Sequence, residues 1–110
     1  MDEAREQPQA AGRQRLDKWL FFTRLAKSRA LAQKWIGDSL VLVNGRIVSQ
    51  TSHALRVGDR VEIRSWRGIA RHGHTVVVRG AGERRGPYEE ARLLYDDLGS
   101  RLIDDVPGGP

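Results

Sequence analysis

The sequence predicts an α+β fold in which two short helices pack on a small, mostly antiparallel sheet and a further helix follows near the C-terminus. Three observations carry that expectation. Apolar residues recur at helical spacing twice, at Leu16, Trp19, Leu20 and Thr23 and again through Ala30, Leu31, Ala32, Trp35 and Ile36. β-Favouring runs bounded by turn residues such as Asn44-Gly45 and Gly58-Asp59 then fill the middle of the chain. Helical spacing returns at Ala91, Leu94, Tyr95 and Leu98.

Taken in order, residues 1–12 are polar and aperiodic and are expected to form a disordered tail, leaving 13–80 as the main domain. The first helix is expected over 16–25, with Lys18 and Arg24 off its apolar face. Asp17 lies in its first turn, where a carboxylate complements the positive helix end, and reads as a cap or an arginine partner. Ser28 is placed to N-cap a second helix over 28–37, whose polar side carries Arg29 and Lys34. The run 40–43 is a strand, Asn44-Gly45 supplies the positive-φ residues of a two-residue hairpin turn, and 46–48 returns. A second hairpin is expected from strand 60–66, with Val61 and Ile63 inward, through a loop at 67–73 to a return strand at 74–79. Glycines at 80, 82 and 86 suggest a flexible connection. Residues 81–99 then comprise this linker and an amphipathic helix, with Pro87 in its first position, Glu89 and Glu90 in its first turn and Gly99 at its end. A flexible tail is expected over 100–110.

One small domain of 110 residues leaves little room for separate catalytic and binding units. The absence of Cys removes disulfides and thiolate metal sites. No apolar run spans a bilayer and the N-terminus lacks a signal-peptide segment, so a soluble, cytoplasmic protein is expected. The net charge of +5 is segregated: residues 13–92 carry +10 and the two flanks together −5. Arginine dominates over lysine, and its planar fork suits phosphates and can stack on bases. A polyanionic partner follows as the leading class.

Candidate chemistries are weak. His53, His72 and His74 include an H-x-H pair, but no Cys or placed carboxylate completes a ligand set. The glycine cluster matches no phosphate-binding loop or dinucleotide fingerprint, and no Ser sits in a nucleophile elbow. Neither an enzyme nor a metal or cofactor is expected. Trp19 and Trp35 fall on apolar helix faces and read as core, whereas Trp66 lies on the strand face opposite Val61 and Ile63, as an open candidate for stacking on RNA.

The segments RLDKWL, SRALAQKWI, VNGR and VGDRVEI, in that order, resemble the alpha-L RNA-binding motif named after small-subunit ribosomal protein four. With HTVVVRG and RRGPYEEARLLYDDL, the chain is similar to the heat-shock protein fifteen family. That resemblance implies a non-enzymatic protein that binds structured ribosomal RNA. The implied target is the free large ribosomal subunit carrying a stalled nascent chain on tRNA, in a recycling or heat-shock stress response. Carried onto this chain, the RNA-binding positions are Arg15, Lys18, Arg24, Lys27, Ser28, Arg29, Lys34, Asn44 and Arg46, with Asp17 and Gly45 structural. The sequence departs from the family at Ser39, where a left-handed Gly cap is usual, and at Leu42, where a polar or basic residue is common. The family's enterobacterial members run on into a long basic C-terminal tail, for which no counterpart is expected after the acidic Asp104-Asp105 segment. Nothing suggests an obligate dimer, so a monomer is expected.

Two other readings use the same residues. The pair 16–25 and 28–37 can be taken as a DNA-binding helix-turn-helix with Arg29 and Lys34 facing a major groove. Alternatively, the helix from Pro87 to Leu98 serves a protein-interaction adaptor, through Tyr88, Leu93 and Tyr95.

Overall fold

The structure, a computed structural model, describes residues 13–103. The tail expected at 1–12 and the part of the other tail beyond 103 lie outside the described residues.

A short strand β1 (Gln14–Arg15) leads directly into helix α1 (Leu16–Phe22). Leu16, Trp19 and Leu20 follow the helical spacing and are fully buried. No side chain caps the helix start; instead the carbonyls of His53 and Thr51 accept from the Leu16 and Asp17 amides at 2.8 and 3.2 Å. The helix ends three residues before the sequence expectation. Arg24 adopts φ 66°, a left-handed turn that a non-glycine residue gives no warning of, and Ala26 then folds back to bond the Leu20 carbonyl at 3.0 Å.

Helix α2 (Arg29–Gly37) starts as the sequence predicts, with the Ser28 Oγ accepting from the Leu31 amide at 3.0 Å. Its C-terminus closes in a left-handed Schellman turn without glycine. Ser39, at φ 62°, donates to the Ile36 carbonyl at 3.1 Å, and Leu40 donates to that of Trp35 at 3.0 Å.

Strands β2 (Val41–Val43) and β3 (Arg46–Ile47) form the expected hairpin. Asn44 and Gly45 sit at φ 53° and 85°, the mirror-image turn that matches strand twist. After β4 (Ala54–Leu55), which pairs with β1, come β5 (Arg60–Arg67), β6 (Ala70–Val78) and β7 (Tyr95–Leu102). The five-stranded antiparallel sheet has the order β3-β2-β5-β6-β7. Val41, Val43, Val61, Ile63, Val76 and Val78 present one apolar face, and both helices pack on it in a single core. The second hairpin is tighter than expected. Its strands pair as far as Arg67 with Ala70, so residues 70–73 belong to β6, and Gly68, at φ 62°, makes the turn.

The largest departure is at the C-terminal end. Helix α3 (Tyr88–Ala91), N-capped rather than begun by Pro87, and a 3₁₀ turn (Arg92–Leu94) are all that forms of the helix expected to reach Leu98. From Tyr95 the chain runs as β7 along the free edge of β6, where backbone pairing outweighs the local helical spacing. The expected flexible tail accordingly begins inside a strand, and Ile103 beyond it is buried. The connection at 80–86 is strapped down rather than free. Gln14 exchanges two hydrogen bonds with the Gly82 backbone at 2.7 and 2.9 Å, and the Trp19 indole donates to the Gly80 carbonyl at 2.9 Å. A side chain at Gly82 would meet Phe22 at 3.0 Å and Leu94 at 3.1 Å, which is why a glycine stands there.

Candidate nucleic-acid interface

The cationic surface is built around one buried acid. Asp17 is fully shielded from solvent in the first turn of α1 and accepts from four groups. Arg15 donates through Nε to Oδ1 and through Nη2 to Oδ2, both at 3.0 Å, as a bidentate fork. Gln33 reaches across from α2 to Oδ2 at 2.9 Å, Arg29 approaches the same oxygen at 3.4 Å, and the Lys18 amide donates to Oδ1 at 2.8 Å. Burial would raise the carboxyl pKa, but the hydrogen bonds from Arg15 and Gln33 and the charges of Arg15 and Arg29 outweigh it and hold Asp17 at about 2. The Arg15 guanidinium is raised in turn by its hydrogen bond and charge contact with Asp17. Arg15 and Arg29 remain roughly two-fifths exposed, so each is aimed by the acid while part of its fork stays open to solvent.

The hairpin forms a second part of the surface. An open groove of about 770 Å³ runs between 43–48 and the segment 49–59, lined by Asn44, Arg46, Ser49, Gln50, His53 and Arg56, among others. It abuts the first part, because His53 and Thr51 bond the start of α1 and Ala54 pairs with Arg15. Arg46 is exposed and makes no ion pair among the described residues. The Asn44 side chain is used internally: it donates to Asp59 at 3.1 Å and accepts from the Arg60 amide at 2.9 Å. What this position offers a ligand is its exposed, tight backbone turn. Asp59 also accepts from the Arg56 amide at 2.9 Å, so the groove wall is braced at both ends.

The remaining predicted residues lie around the helix pair. Lys18 is half-buried and Lys27 exposed, and neither side chain is paired with an acid among the described residues. Ser28 is exposed; its oxygen is occupied as the helix cap, leaving the hydroxyl proton to donate outward. Lys34 is exposed and pairs with Asp38 at 2.9 Å in the last turn of α2. Arg24 is directed away from this group, its Nε donating to the Gly86 carbonyl at 2.7 Å. There it helps Arg85, which donates to the Lys27 carbonyl at 3.1 Å and lies 4.6 Å over the Phe21 ring, to hold the 80–86 strap on the α1–α2 turn. The structure therefore joins Arg15 with Arg29, and sets Arg46 beside them through the 49–54 segment.

Sequence reasoning missed Gln33, Gln50 and Arg56, and weighed His53 only among the three histidines. Gln33 carried no charge signal and meets Asp17 only through the packing of α1 on α2. The other three sit in turn-rich sequence whose proximity to Arg46 appears only in the folded hairpin. Among the histidines, His74 is taken by Asp97 at 2.7 Å, and no group of three or more potential metal ligands occurs among the described residues.

Comparison with known proteins places this geometry in a family. Residues 14–61 match the S4 domain, the stretch from β1 to the start of β5. Heat shock protein 15 of Escherichia coli strain K12 is 36% identical over 83 residues, which is 76% of this chain and 59% of that protein. The chain thus spans about three-fifths of the length of that relative. RNA pseudouridine synthase 2, chloroplastic, of Arabidopsis thaliana is 44% identical over 52 residues, 47% of this chain but 12% of the enzyme, so similar sequence also occurs as a small part of an enzyme. The trimeric structure of Vibrio cholerae Heat Shock Protein 15 superposes with a TM-score of 0.68 at 27% identity, covering 78% of this chain and 82% of the other. With its S4 segment and its likeness in both sequence and fold, the chain belongs to the Heat shock protein 15 family of S4-domain proteins.

Proposed function

We propose that this protein binds structured RNA through the surface that runs from Arg15 and Arg29 to Arg46, and that its target is ribosomal RNA on the free large subunit carrying a stalled nascent chain with its tRNA. The observation that carries the reading is the buried Asp17, which fixes two arginine forks on a surface where Lys18, Lys27 and Arg46 keep their charge unpaired among the described residues. Folded RNA is recognised largely through its shape and its phosphate and 2′-hydroxyl groups, so cations held at fixed separations on a firm surface suit it. Arg15 and Arg29 meet phosphates as oriented forks; Lys18, Lys27 and Arg46 neutralise charge; and the Asn44-Gly45 turn lets the main chain approach closely. The role is binding, with no bond made or broken. The Heat shock protein 15 relatives support a stress-response setting, and the S4 match supports the RNA-facing use of this surface.

Sedimentation with separated small subunits, large subunits and intact ribosomes across a salt series tests this, with duplex DNA as competitor. Selective co-sedimentation with free large subunits, steeply weakened by salt and insensitive to duplex DNA, is the expected result. Binding to no ribosomal particle while structured RNA is still bound would remove the ribosomal target. Preference for duplex DNA would overturn the RNA reading itself.

A further inference from the structure

The sheet has a second face, turned away from the helices. Side chains alternate across a strand, so the register that sends Val61, Ile63, Val76 and Val78 into the core sends Arg60, Glu62, Arg64 and Trp66 of β5 to the other side. On the neighbouring strands this face receives Thr75, Gly73 and Arg71 opposite Glu62, Arg64 and Trp66, and Arg101 opposite Gly73. From Arg60 to Trp66 the row spans about 20 Å of strand.

Its charge is arranged in depth. Glu62 lies across Gly73, where any Cβ would meet its carboxylate, and its side chain is only 14% exposed; Ile103 borders the same glycine and is buried. Arg64 and Arg101 approach that one acid at 3.6 and 3.5 Å, longer than ordinary hydrogen bonds, and both remain more exposed than the acid they share. Arg60 is exposed, and its side chain has no partner among the described residues. Near the end of β6, Arg79 and Asp96 neutralise each other at 2.7 Å. With its acid sunk and its arginines raised, the face presents positive charge. Trp66 is 61% exposed at one end of the row. Arg71 is already engaged, its guanidinium 5.9 Å from the Trp66 ring centroid, and adds field rather than an open fork.

We propose that this outer face is a second RNA surface, which binds an extended single strand with a base stacked on Trp66 and phosphates on Arg60, Arg64 and Arg101. It uses none of the residues of the Arg15–Arg29–Arg46 surface and goes beyond that reading. The two surfaces lie on opposite sides of the sheet, so one molecule can hold a folded and a single-stranded element at once. An exposed indole at the end of a row of cations is what single strands need, because stacking accepts any base and the arginines follow the backbone. An acidic protein segment would meet the arginines and leave the indole unused. A second copy of this chain would set arginines against arginines.

The experiment titrates an oligo(U) of about 12 nucleotides and an RNA hairpin without a single-stranded extension, separately and together. It uses the full chain and the variants Trp66→Ala, Trp66→Phe, Arg101→Ala and Arg29→Ala. Trp66→Ala should weaken oligo(U) at least about fivefold, the ratio that ~1 kcal/mol of stacking gives, with an unchanged melting temperature and unchanged hairpin affinity. Trp66→Phe should keep most of the affinity and lose most of the quenching of tryptophan fluorescence that oligo(U) causes. Arg101→Ala should weaken oligo(U) a few-fold and lower its salt slope by about 0.7. Arg29→Ala should weaken the hairpin and spare oligo(U), and a saturating hairpin should leave oligo(U) bound. Failure of the wild type to bind oligo(U) while it binds the hairpin overturns the outer-face assignment and leaves the first surface standing; the reverse result overturns the first surface alone. Oligo(U) binding that survives Trp66→Ala, or that the hairpin displaces, also overturns the outer-face assignment. Tighter binding of oligo(dU) assigns the face to DNA, and poly-glutamate bound as tightly as oligo(U) assigns it to an acidic protein segment. Binding of neither RNA removes both readings together.

Discussion

Arg15 and Arg29 carry the same charge as Lys27 and Arg46, yet the two pairs are held in opposite ways. The first pair converges on a carboxylate fully removed from solvent, which costs one positive charge and fixes the direction of two forks. The second pair stands in solvent without an acidic partner among the described residues, keeping full charge and full side-chain freedom. An ordered fork loses less rotamer entropy when it meets a phosphate, while a free lysine or arginine gives up roughly 1–2 kcal/mol of freedom for its larger net field. Formal charge alone is therefore a poor measure of a binding surface.

The widest separation of the two mechanisms comes from Asp17→Asn, which keeps the shape, removes the acid and raises the net charge by one. If direction governs, affinity for an RNA hairpin falls by about tenfold despite the added positive charge, whereas a surface that works by charge count binds more tightly. The same substitution should lower folding stability by roughly 2–4 kcal/mol in urea titration, less than for a fully buried pair because the arginines are partly solvated.

Acid sharpens the comparison next. A carboxyl held at about 2 in the folded protein against an ordinary 3.8 contributes stability above pH 4 that is lost as the pH falls through 2. That contribution amounts to roughly 2 kcal/mol. Asp97 is lowered too, its burial outweighed by the hydrogen bonds from His74 and the Gly99 amide, and adds an acid loss of the same sign. Unfolding free energies measured across pH 2–5 should fall for the wild type, and the fall should be shallower in Asp17→Asn by the Asp17 share. Curves of identical steepness would mean that Asp17 is not the acid whose titration loosens the helix pair.

How much of this was legible in the sequence follows the range of the interactions. Ser28 and Asn44-Gly45 act within a few residues, so the α2 cap and the first hairpin could be read locally. Asp17 was legible as an arginine partner through Arg15, two positions away, but Gln33 and Arg29 reach it only after α1 meets α2. The strand Tyr95–Leu102 was not legible, because Leu94, Tyr95 and Leu98 keep helical spacing while the free edge of β6 supplies the deciding bonds. Arg24 and Ser39 hide their left-handed turns by lacking glycine, which shortened α1 unannounced and made the α2 terminus look weaker than it is.

The smallest effects distinguish how each pair sums. Arg46→Ala and Lys27→Ala should each weaken RNA binding only a few-fold, reduce the slope of log affinity against log salt by about 0.7–0.9, and leave the melting temperature unchanged. Because neither cation shares a partner with the other, their losses should add in the double variant within about 0.5 kcal/mol. Arg15→Ala and Arg29→Ala should not add. Each shares Asp17 with the other, so removing one fork leaves the acid to draw the remaining one inward, and the second removal then finds less affinity to take away. Binding isotherms for the two double-mutant cycles measure this directly. Additive losses in both cycles would erase the distinction between oriented and free cations, and Asp17 would then be a structural acid whose influence on RNA is limited to its own charge.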